Sequence, residues 1–479
     1  MEHIPFDPAD AKAALAQLPH QPAVFALYGA SEKDEPYIGR TPNLRARLER
    51  LLQPSPRHPR RLQLAGRVRR IAWHLTGSDF ESLLVQFSLL EEIYGEQALK
   101  RMHLRAPAFI RYLGSNDYPR IVVTNKPSQR EADWAYGPFA SRAAAERFAD
   151  EALKLFLLRR CTDDLHPDPS HPGCVYSEMK MCLAPCYQGC TDQRYAEESS
   201  AVESFLATRG ESKLVTLQAQ RDAASAALEF EQAAVLHSQV QKVEAVRALA
   251  PEIVQPMSRL RCVILQASAQ PDEVALFLFE NGTLRGPVGF STIGMRIQNE
   301  RSGSSSLFAQ PLAIEAVPEE AGVRDQESGI RETKGEGPSH SIDEDLSIGS
   351  PTRDKGTEGL ASGEQATEEA ATDQTSATHD QPSRLQSKQA RGLLESRLES
   401  VLAELSQPPT PKTGPQTATP TAVERQGHLA LLKRWYYRPE VRRPGEIFFP
   451  AAEGDWPVKA LLRGIGRVFA TTLPPSPSP

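Results

Sequence analysis

The chain of 479 residues contains no aromatic residue between Phe308 and Trp435. Aromatic side chains supply much of the apolar surface that a core buries, and this interval is instead rich in Ser, Thr, Glu, Gln, Gly and Pro. Such a segment cannot bury enough apolar surface to offset the conformational entropy that folding would remove. We therefore predict a disordered acidic insert at residues 299–427, with one local helix at residues 393–405.

The insert also carries the negative charge of the chain. Residues 311–380 contain 17 acidic and 5 basic residues, a net charge of −12, whereas the whole chain has a net charge of −6. The other 409 residues are therefore basic, with a net charge of +6. Because the acidity is confined to one segment, the overall charge does not exclude a nucleic-acid partner.

Several classes of protein are excluded by composition. No apolar run approaches the roughly 20 residues of a membrane-spanning helix, and the first residues lack a basic and apolar secretory leader. Five of the six cysteines lie between Cys161 and Cys190, unlike the dispersed cysteines of a disulfide-stapled secreted protein. A collagen is excluded as well. We predict a soluble cytoplasmic protein.

Hydrophobic periodicity divides the rest of the chain into mixed segments. Residues 1–110 predict strands at 22–28 and 35–39, a helix opening at Pro42, a strand at 68–75, and a helix at 80–94 capped by Ser78 or Asp79. Farther along, the pattern predicts a strand at 118–124, a helix at 140–158, a helix or helical hairpin at 203–248, strands at 261–266 and 274–279, and renewed order at 428–449. The fold class is α+β.

Arginine is concentrated in the first of these segments. Ten arginines and no lysine occur from Arg40 to Arg70, with Glu49 as the only acidic residue. The planar guanidinium binds phosphate oxygens in pairs, so a dense arginine patch is typical of nucleic-acid binding. The alternative is an ordinary solvated face. The candidate DNA-binding residues are Arg45, Arg50, Arg60 and Arg61.

The cysteine cluster is the second chemical signal. Cys161, Cys174, Cys182 and Cys186 are separated by 12, 7 and 3 residues, and Cys190 follows four positions later. This spacing matches neither a simple zinc knuckle nor a bacterial ferredoxin sequence. Clustered thiols in a reducing compartment favour a metal site, with reduced core thiols as the alternative.

Three ordered motifs carry a resemblance to a known family. The stretches PAVFALYG, EPYIGRTPNLRARL and TGSDFESLLVQFSLLEE resemble the GIY-YIG nuclease domain of the UvrC family of excinucleases and its shorter single-incision homologue. Downstream, YGPFASRAAAERF, KMCLAPCYQGC and SAALEFEQAAVLHSQV resemble further segments of UvrC proteins. The resemblance implies a small three-stranded antiparallel sheet flanked by helices, and incision of one DNA strand 3′ of a lesion.

The resemblance also implies the catalytic residues. Glu81 would hold one divalent cation, Mg²⁺ or Mn²⁺, which keep most of their water ligands. Arg47 would stabilise charge on the scissile phosphate, Tyr37 would orient or deprotonate the attacking water, and Arg40 would bind phosphate without acting as a base. Phe25 stands where the family has its first tyrosine, so that hydroxyl is missing.

Metal and partner sites follow from the same resemblance. Cys161, Cys174, Cys182 and Cys186 would hold a [4Fe–4S] cluster, with zinc as the alternative, and Cys190 would be a spare. The segment 214–247 resembles the UVR motif that docks on the helicase subunit of the excinuclease, although Arg221 and His237 depart from its usual pattern. An ordinary helical hairpin is the alternative for this segment.

These interpretations give a domain plan and two functional hypotheses. The plan places a GIY-YIG nuclease domain at 15–105, a linker and Cys-rich metal-binding domain at 106–200, a docking motif at 203–248, and a truncated RNase H-like remnant at 255–298 and 428–470. The first hypothesis is a DNA-repair endonuclease of nucleotide excision repair. The second is a non-catalytic DNA- or partner-binding adaptor that retains the fold and the cysteine cluster.

Overall fold

The computed structural model describes residues 1–31, 34–53, 64–162, 164–293, 295, 381–407, 420–451 and 454–472. The chain divides into two compact units, residues 1–310 with 387–479, and residues 311–386. The second unit is described only at residues 381–386, so everything below concerns the first unit unless a range says otherwise. Among the described residues, no helix has the length and apolar content that would let it span a membrane.

The amino-terminal segment forms a four-stranded antiparallel sheet. Its strands are β1 (Glu2–Pro5), β2 (Ala23–Tyr28), β3 (Tyr37–Thr41) and β4 (Arg70–Leu75), in the order β1-β4-β2-β3. Its helices are α1 (Ala11–Ala16), α2 (Leu44–Leu52), α3 (Asp79–Tyr94) and α4 (Gln97–Arg101). Strands β2 to β4 and helices α2 and α3 lie where the sequence predicts them. The resemblance implied three strands, and the fourth, β1, pairs along the outer edge of β4.

The two faces of this sheet pack against different helices. Phe25 and the apolar residues of α1 and α2 form a closed core on one face. Helix α3 covers the other face and begins at the N-cap residue Ser78, whose hydroxyl accepts the Glu81 N–H at 3.1 Å. This is the cap that the sequence predicts.

A second antiparallel sheet occupies the middle of the chain. Its strands are β5 (Ala108–Tyr112), β6 (Ile121–Thr124), β7 (Ala135–Phe139) and the two-residue β8 (Gln255–Pro256), in the order β6-β5-β7-β8. Helices α5 (Arg142–Leu153), α6 (Val175–Glu178) and α7 (Asp192–Ala207) follow β7. The cysteine-rich loop lies between α5 and α7.

The segment 203–248 is a helical hairpin over most of its length. Helices α8 (Glu211–Ala226) and α9 (Phe230–Arg247) pack against each other, and the chain reverses at Leu228, whose φ is +65°. A leucine in the left-handed region is strained, so the reversal depends on the packing of the two helices rather than on a turn-forming residue.

A third antiparallel sheet contains the last strands. They are β9 (Cys262–Ala267), β10 (Glu273–Glu280), β11 (Thr283–Ser291) and β12 (Glu446–Phe448), in the order β11-β10-β9-β12. The helices are α10 (Gln381–Ser406), α11 (Ala422–Tyr436) and α12 (Val458–Thr472). Leucines of α10 and α12 share a core with one face of this sheet.

The prediction of a disordered insert at 299–427 needs correction at its carboxyl-terminal end. Residues 381–406 are helical and include the local helix expected at 393–405, while α11 begins at Ala422, before the predicted return of order. The physical reason is a leucine stripe, because Leu394, Leu398 and Leu402 are buried against the third sheet. The rest of the predicted insert lies outside the described residues.

Helix α3 packs against the third sheet as well as against the amino-terminal sheet. The Phe80 ring lies 5.2 Å from the Phe277 ring of β10 and 5.6 Å from the Trp435 ring of α11, measured between centroids. Phe87 packs on His428 of α11 in the same way. The amino-terminal segment therefore has a core of its own between the sheet and helices α1 and α2, and through α3 it shares a second core with the third sheet.

Candidate functional site

The predicted catalytic residues lie on one strand of the amino-terminal sheet and on two helices that cover it. Tyr37 and Arg40 are on β3, Arg47 is on α2 and Glu81 is in the first turn of α3. Within the part of the chain that the structure describes, no hydrogen bond or ion pair joins any two of these four side chains.

Tyr37 lies on the α2 side of the sheet. Its ring is 6.1 Å from the buried ring of Phe25, and it packs against the core that α2 completes. Gly39, two residues on, faces the same way, and a Cβ there would lie 2.8 Å from Phe25 Cζ. Phe25 stands at the position of the first tyrosine of the family motif, and its ring leaves room only for glycine at position 39.

Arg40 lies on the opposite side of β3 from Tyr37, because residues three apart on a strand point to opposite faces. Its guanidinium donates to Asp79 Oδ1 in the first turn of α3. The second oxygen, Asp79 Oδ2, accepts from Arg438 Nη1 at 2.8 Å. Arg438 follows α11, so the carboxylate joins two arginines from distant parts of the sequence.

Glu81 is buried on the α3 side, with 4 % of its surface exposed. The Gly77 N–H donates to Oε2 at 2.8 Å, and His74 Nε2 of β4 lies 4.0 Å from Oε1. Burial raises the pKa of Glu81, and the Gly77 hydrogen bond partly offsets the rise. A Cβ at Gly77 would overlap Ala267 O, so the loop that donates to Glu81 packs closely against residues 267–269 at the end of β9.

This arrangement does not fit a hydrated divalent cation at Glu81. Mg²⁺ and Mn²⁺ bind with several of their waters in place, and a carboxylate with 4 % exposure leaves no room for them. The sheet also separates Glu81 and Arg40 from Tyr37 and Arg47. The structure thus brings the predicted residues into one segment but does not bring them together as a metal centre.

The predicted DNA-binding arginines have mixed positions. Arg45 donates to the carbonyl oxygens of Leu18 and Ala16 and so holds the end of α1. Arg50 is exposed and donates to Ala46 O one turn earlier. Arg60 and Arg61 lie outside the described residues.

The four predicted cysteine ligands line one small cavity. Cys161, Cys174, Cys182 and Cys186 surround it, and Cys190 is not among its lining residues. All six cysteines of the chain are free thiols. The Ala184 N–H donates to Cys182 Sγ, 3.1 Å away. Ala184 itself has a left-handed φ of +59°, which marks a tight turn at this point of the loop.

The surroundings of the cavity affect the ionisation of its thiols. Burial, and the nearness of the other three cysteines, raise the pKa of Cys182 to about 11. Arg159 is buried beside them, with Nη1 3.8 Å from Cys161 Sγ, and Arg160 lines the same cavity. The Arg159 guanidinium is therefore turned toward sulfur and is not available to DNA at the surface.

The arrangement around the thiols fits a four-thiolate group in donor type and number. Four sulfurs share one cavity, a backbone N–H is aimed at one of them, and a buried guanidinium would offset negative charge. Within the described residues, no three or more His, Cys, Asp or Glu side chains are already placed as they would be around a metal ion.

The tip of the helical hairpin exposes large apolar side chains. Leu228 and Phe230 are 72 % and 65 % exposed, and Val215 and Val235 of the two helices are also exposed. An exposed apolar cluster at the end of a two-helix arm is typical of a docking surface.

Comparison with known proteins identifies the middle of the chain. The family model for the middle domain of the UvrC/Cho excinuclease matches residues 109–205. UvrABC system protein C of Alcanivorax borkumensis is 30% identical over 242 residues, which cover 50% of this chain and 39% of the relative. The chain is therefore similar to proteins of the UvrC family over about half of its length. The same-named proteins of Aliivibrio fischeri and Haemophilus ducreyi are 26% and 28% identical over 50% of this chain, covering 39% and 38% of their own lengths.

The match to the UvrC middle domain spans β5 to α7 and therefore contains the whole cysteine cavity. The chain spans about two fifths of the length of the curated UvrC relatives that it matches. No solved structure matches this chain.

Sequence reasoning missed Asp79, His74 and the arginines of α11 as neighbours of the site. The signal for Asp79 was present, since an acidic residue in the first turn of a helix favours nearby cations. No local signal could place Arg438 next to it, because 359 positions separate the two residues.

Proposed function

We propose that this chain is a DNA-repair endonuclease of nucleotide excision repair, which cuts one DNA strand 3′ of a lesion from a GIY-YIG site in its amino-terminal segment. The observation that carries the proposal is the UvrC middle-domain match at 109–205, together with relatives named UvrABC system protein C over half of the chain. The strand-strand-helix arrangement that bears Tyr37, Arg40 and Arg47 supports it.

Each residue has a defined part in this proposal. Arg47 and Arg40 bind and neutralise phosphate oxygens from the two sides of β3, and Tyr37 orients the water that attacks the phosphorus. Mg²⁺ or Mn²⁺ is the proposed cofactor, with Glu81 as its ligand, and it would supply Lewis-acid stabilisation of the phosphate. The buried position of Glu81 is the point at which the structure and this assignment disagree.

A non-catalytic DNA- or partner-binding adaptor is the second candidate. The observation that favours it is the same burial of Glu81, combined with the phenyl ring of Phe25 at the position of the motif tyrosine. This candidate requires the fold, the cysteine cavity and the arginines, but no access of a cation to Glu81.

A nicking assay separates the two candidates. We expect the purified chain with Mg²⁺ or Mn²⁺ to nick lesion-bearing duplex DNA, and we expect Glu81→Ala to lose this activity while Glu92→Ala, on the exposed side of the same helix, keeps it. The assay is run with and without the helicase subunit. Binding without nicking by the unaltered chain would establish the adaptor, and equal nicking by Glu81→Ala would remove Glu81 from the mechanism.

The cysteine cavity is the proposed site of a [4Fe–4S] cluster, with zinc as the alternative. Cys161, Cys174, Cys182 and Cys186 would hold it as thiolates, and Arg159 would offset part of the resulting charge. A thiolate-bound group at this position is structural, because it fixes the loop between α5 and α7. Cys190 has no part in it.

We expect Cys186→Ser to lose the bound metal and Cys190→Ser to keep it. The four sulfurs that line the cavity act as one set, so removal of one ligand lowers metal content and the thermal stability of the middle segment. Iron, sulfide and zinc are measured on protein purified without oxygen, together with visible absorbance. Metal contents that fall equally in the two variants, or are unchanged in both, would contradict the assignment.

The tip of the hairpin formed by α8 and α9 is the proposed docking surface for the helicase subunit of the excinuclease. Leu228 and Phe230 supply apolar area that is exposed in the isolated chain, and hot-spot residues of interfaces are commonly of this kind.

We expect the double substitution Leu228→Ser and Phe230→Ser to weaken binding to the helicase subunit by about 2 kcal/mol or more, roughly thirtyfold, since it removes two buried anchors. Leu393→Ser, at an equally exposed leucine of α10, is the matched control and should leave affinity unchanged. Affinity is measured by calorimetry with the purified helicase subunit. An unaltered dissociation constant for the double variant would exclude the hairpin tip as the docking surface.

A further inference from the structure

Three arginines from two distant parts of the chain meet beside the amino terminus of α3. Arg40 comes from β3, and Arg434 and Arg438 come from the carboxyl-terminal end of α11 and the residues that follow it. Arg40 and Arg438 each donate to one oxygen of Asp79. Arg434 lies four residues before Arg438, about one helical turn away. Burial, followed by the positive charges of Arg434 and Arg438, lowers the pKa of Arg40.

The charges in this cluster do not balance. Arg40 and Arg438 share one carboxylate, and Arg434 adds a third positive charge one turn before Arg438, so the group has a net charge of +2. Each guanidinium has five N–H donors, and Asp79 uses one from Arg40 and one from Arg438. The side chains of Arg40 and Arg438 are 35 % and 22 % exposed, so their remaining donors can be reached from solvent.

Helix stability explains only part of this arrangement. A cation near the carboxyl-terminal end of a helix interacts favourably with the helix dipole, which accounts for Arg434 and Arg438 considered singly. The ion pair with Asp79 holds Arg40, but one carboxylate cannot neutralise three guanidiniums, so repulsion between them remains. An additional anion would offset that repulsion.

We propose that Arg40, Arg434 and Arg438 form a binding site for a backbone phosphate of DNA, built between β3 and α11. The site rests on the proposed function, since that function makes DNA the ligand. Arginine forks bind phosphate oxygens in pairs, and the first turn of α3 presents backbone N–H groups toward the same region, where an anion is favoured.

The surroundings favour a polyanion over a single small anion. Lys433 lies in the same turn of α11 and is close enough to the exposed Arg105 for the two charges to interact. Arg442 is exposed a few residues beyond Arg438. Further basic residues therefore adjoin the three arginines along the chain, as is typical of a surface that binds a nucleic-acid backbone.

The test measures DNA binding with the full chain in the absence of divalent cations, so that no cleavage is required. Fluorescence anisotropy with a short duplex is recorded over a range of salt concentrations for the unaltered chain and for Arg434→Gln with Arg438→Gln. We expect the double variant to bind severalfold more weakly, and we expect the slope of log affinity against log salt to fall by about 1 for each phosphate contact that is lost.

Two further variants control for charge and for folding. Lys459→Gln with Arg463→Gln removes the same charge from exposed positions of α12 and should leave the salt slope unchanged. Arg434→Gln alone removes an exposed arginine that has no bond to Asp79, so it should lower the slope without lowering the melting temperature. An unchanged slope for the α11 variants, or an equal fall for the α12 pair, would overturn the proposal.

The outcome is distinct from that of the nicking assay. If the unaltered chain does not nick DNA but the α11 variants weaken its salt-dependent binding, the phosphate site is supported and the nuclease proposal is contradicted. If the chain nicks DNA but the α11 variants leave the salt slope unchanged, the nuclease proposal is supported and the phosphate site is contradicted.

Discussion

Gly427→Ala should destabilise the protein by about 2 kcal/mol, although alanine is the better helix former. In an open helical position this change would stabilise by roughly 0.5–1 kcal/mol, because glycine loses more backbone entropy on folding. At Gly427 the added methyl group would overlap the ring of Phe87, which is fully buried and cannot turn away. Overpacking of this kind costs about 1–3 kcal/mol and outweighs the gain in propensity.

Gly392→Ala is the matched control for this prediction. Gly392 lies within α10, and nothing lies within 4 Å of the position that its Cβ would take. The same substitution should therefore raise the free energy of unfolding there, giving the two variants opposite signs. Urea unfolding measures both.

A second variant assigns the effect of Gly427→Ala to the Phe87 ring. Combining Gly427→Ala with Phe87→Leu should restore part of the loss, since a smaller side chain makes room for the methyl group. Equal stabilisation by Gly427→Ala and Gly392→Ala would show that α11 does not approach α3 as closely as described.

The local structure near the site could be predicted from sequence because its signals are local. The cap at Ser78, the hairpin of β2 and β3, and the helix after Pro42 each depend on residues within a few positions of one another. Strand β1 escaped prediction because its four residues have no apolar alternation, and it is held only by pairing with β4.

The burial of Glu81 could not be predicted in this way. It depends on the contact between Gly77 and residues 267–269, which no local pattern of residues anticipates. The contact of Arg40 and Arg438 with the same carboxylate also depends on residues that are far apart in the sequence. Both features arise because α3 packs against the third sheet as well as the first.

The placement of Tyr37 and Arg40 on opposite faces of β3 could have been predicted from the sequence. Their spacing of three residues on one strand places them on opposite faces.

A histidine in the contact between α3 and α11 should make the stability of the protein depend on pH. His428 is buried against Phe87, and its Nδ1 accepts the Leu284 N–H of β11 at 3.0 Å. Burial lowers the pKa of His428 to about 4, because a protonated ring would carry an uncompensated charge inside the core. The ring is therefore neutral in the folded protein near neutral pH.

The sign of the effect follows from proton binding. Between the ordinary histidine pKa of about 6.5 and a folded value of about 4, the unfolded chain binds a proton that the folded chain does not. The free energy of unfolding is therefore fully retained above about pH 6.5 and falls as the pH is lowered toward 4, by about 3 kcal/mol in total from this residue. Glu81 and Glu91, whose pKa values burial raises, contribute with the opposite sign.

His428→Asn isolates the contribution of this histidine. The asparagine Oδ1 can accept the Leu284 N–H in place of Nδ1, but the amide does not titrate. Urea unfolding between pH 7 and pH 4.5 should show a smaller loss of stability for the variant than for the unaltered chain, although the variant starts from a lower value because the smaller side chain packs less well on Phe87. His74, whose pKa burial also lowers, is common to both proteins and cancels in the difference. If the two proteins lose stability in parallel as the pH falls, the pKa of His428 is the same in the folded and the unfolded chain. The ring of His428 would then not be buried in the core between α3, α11 and β11.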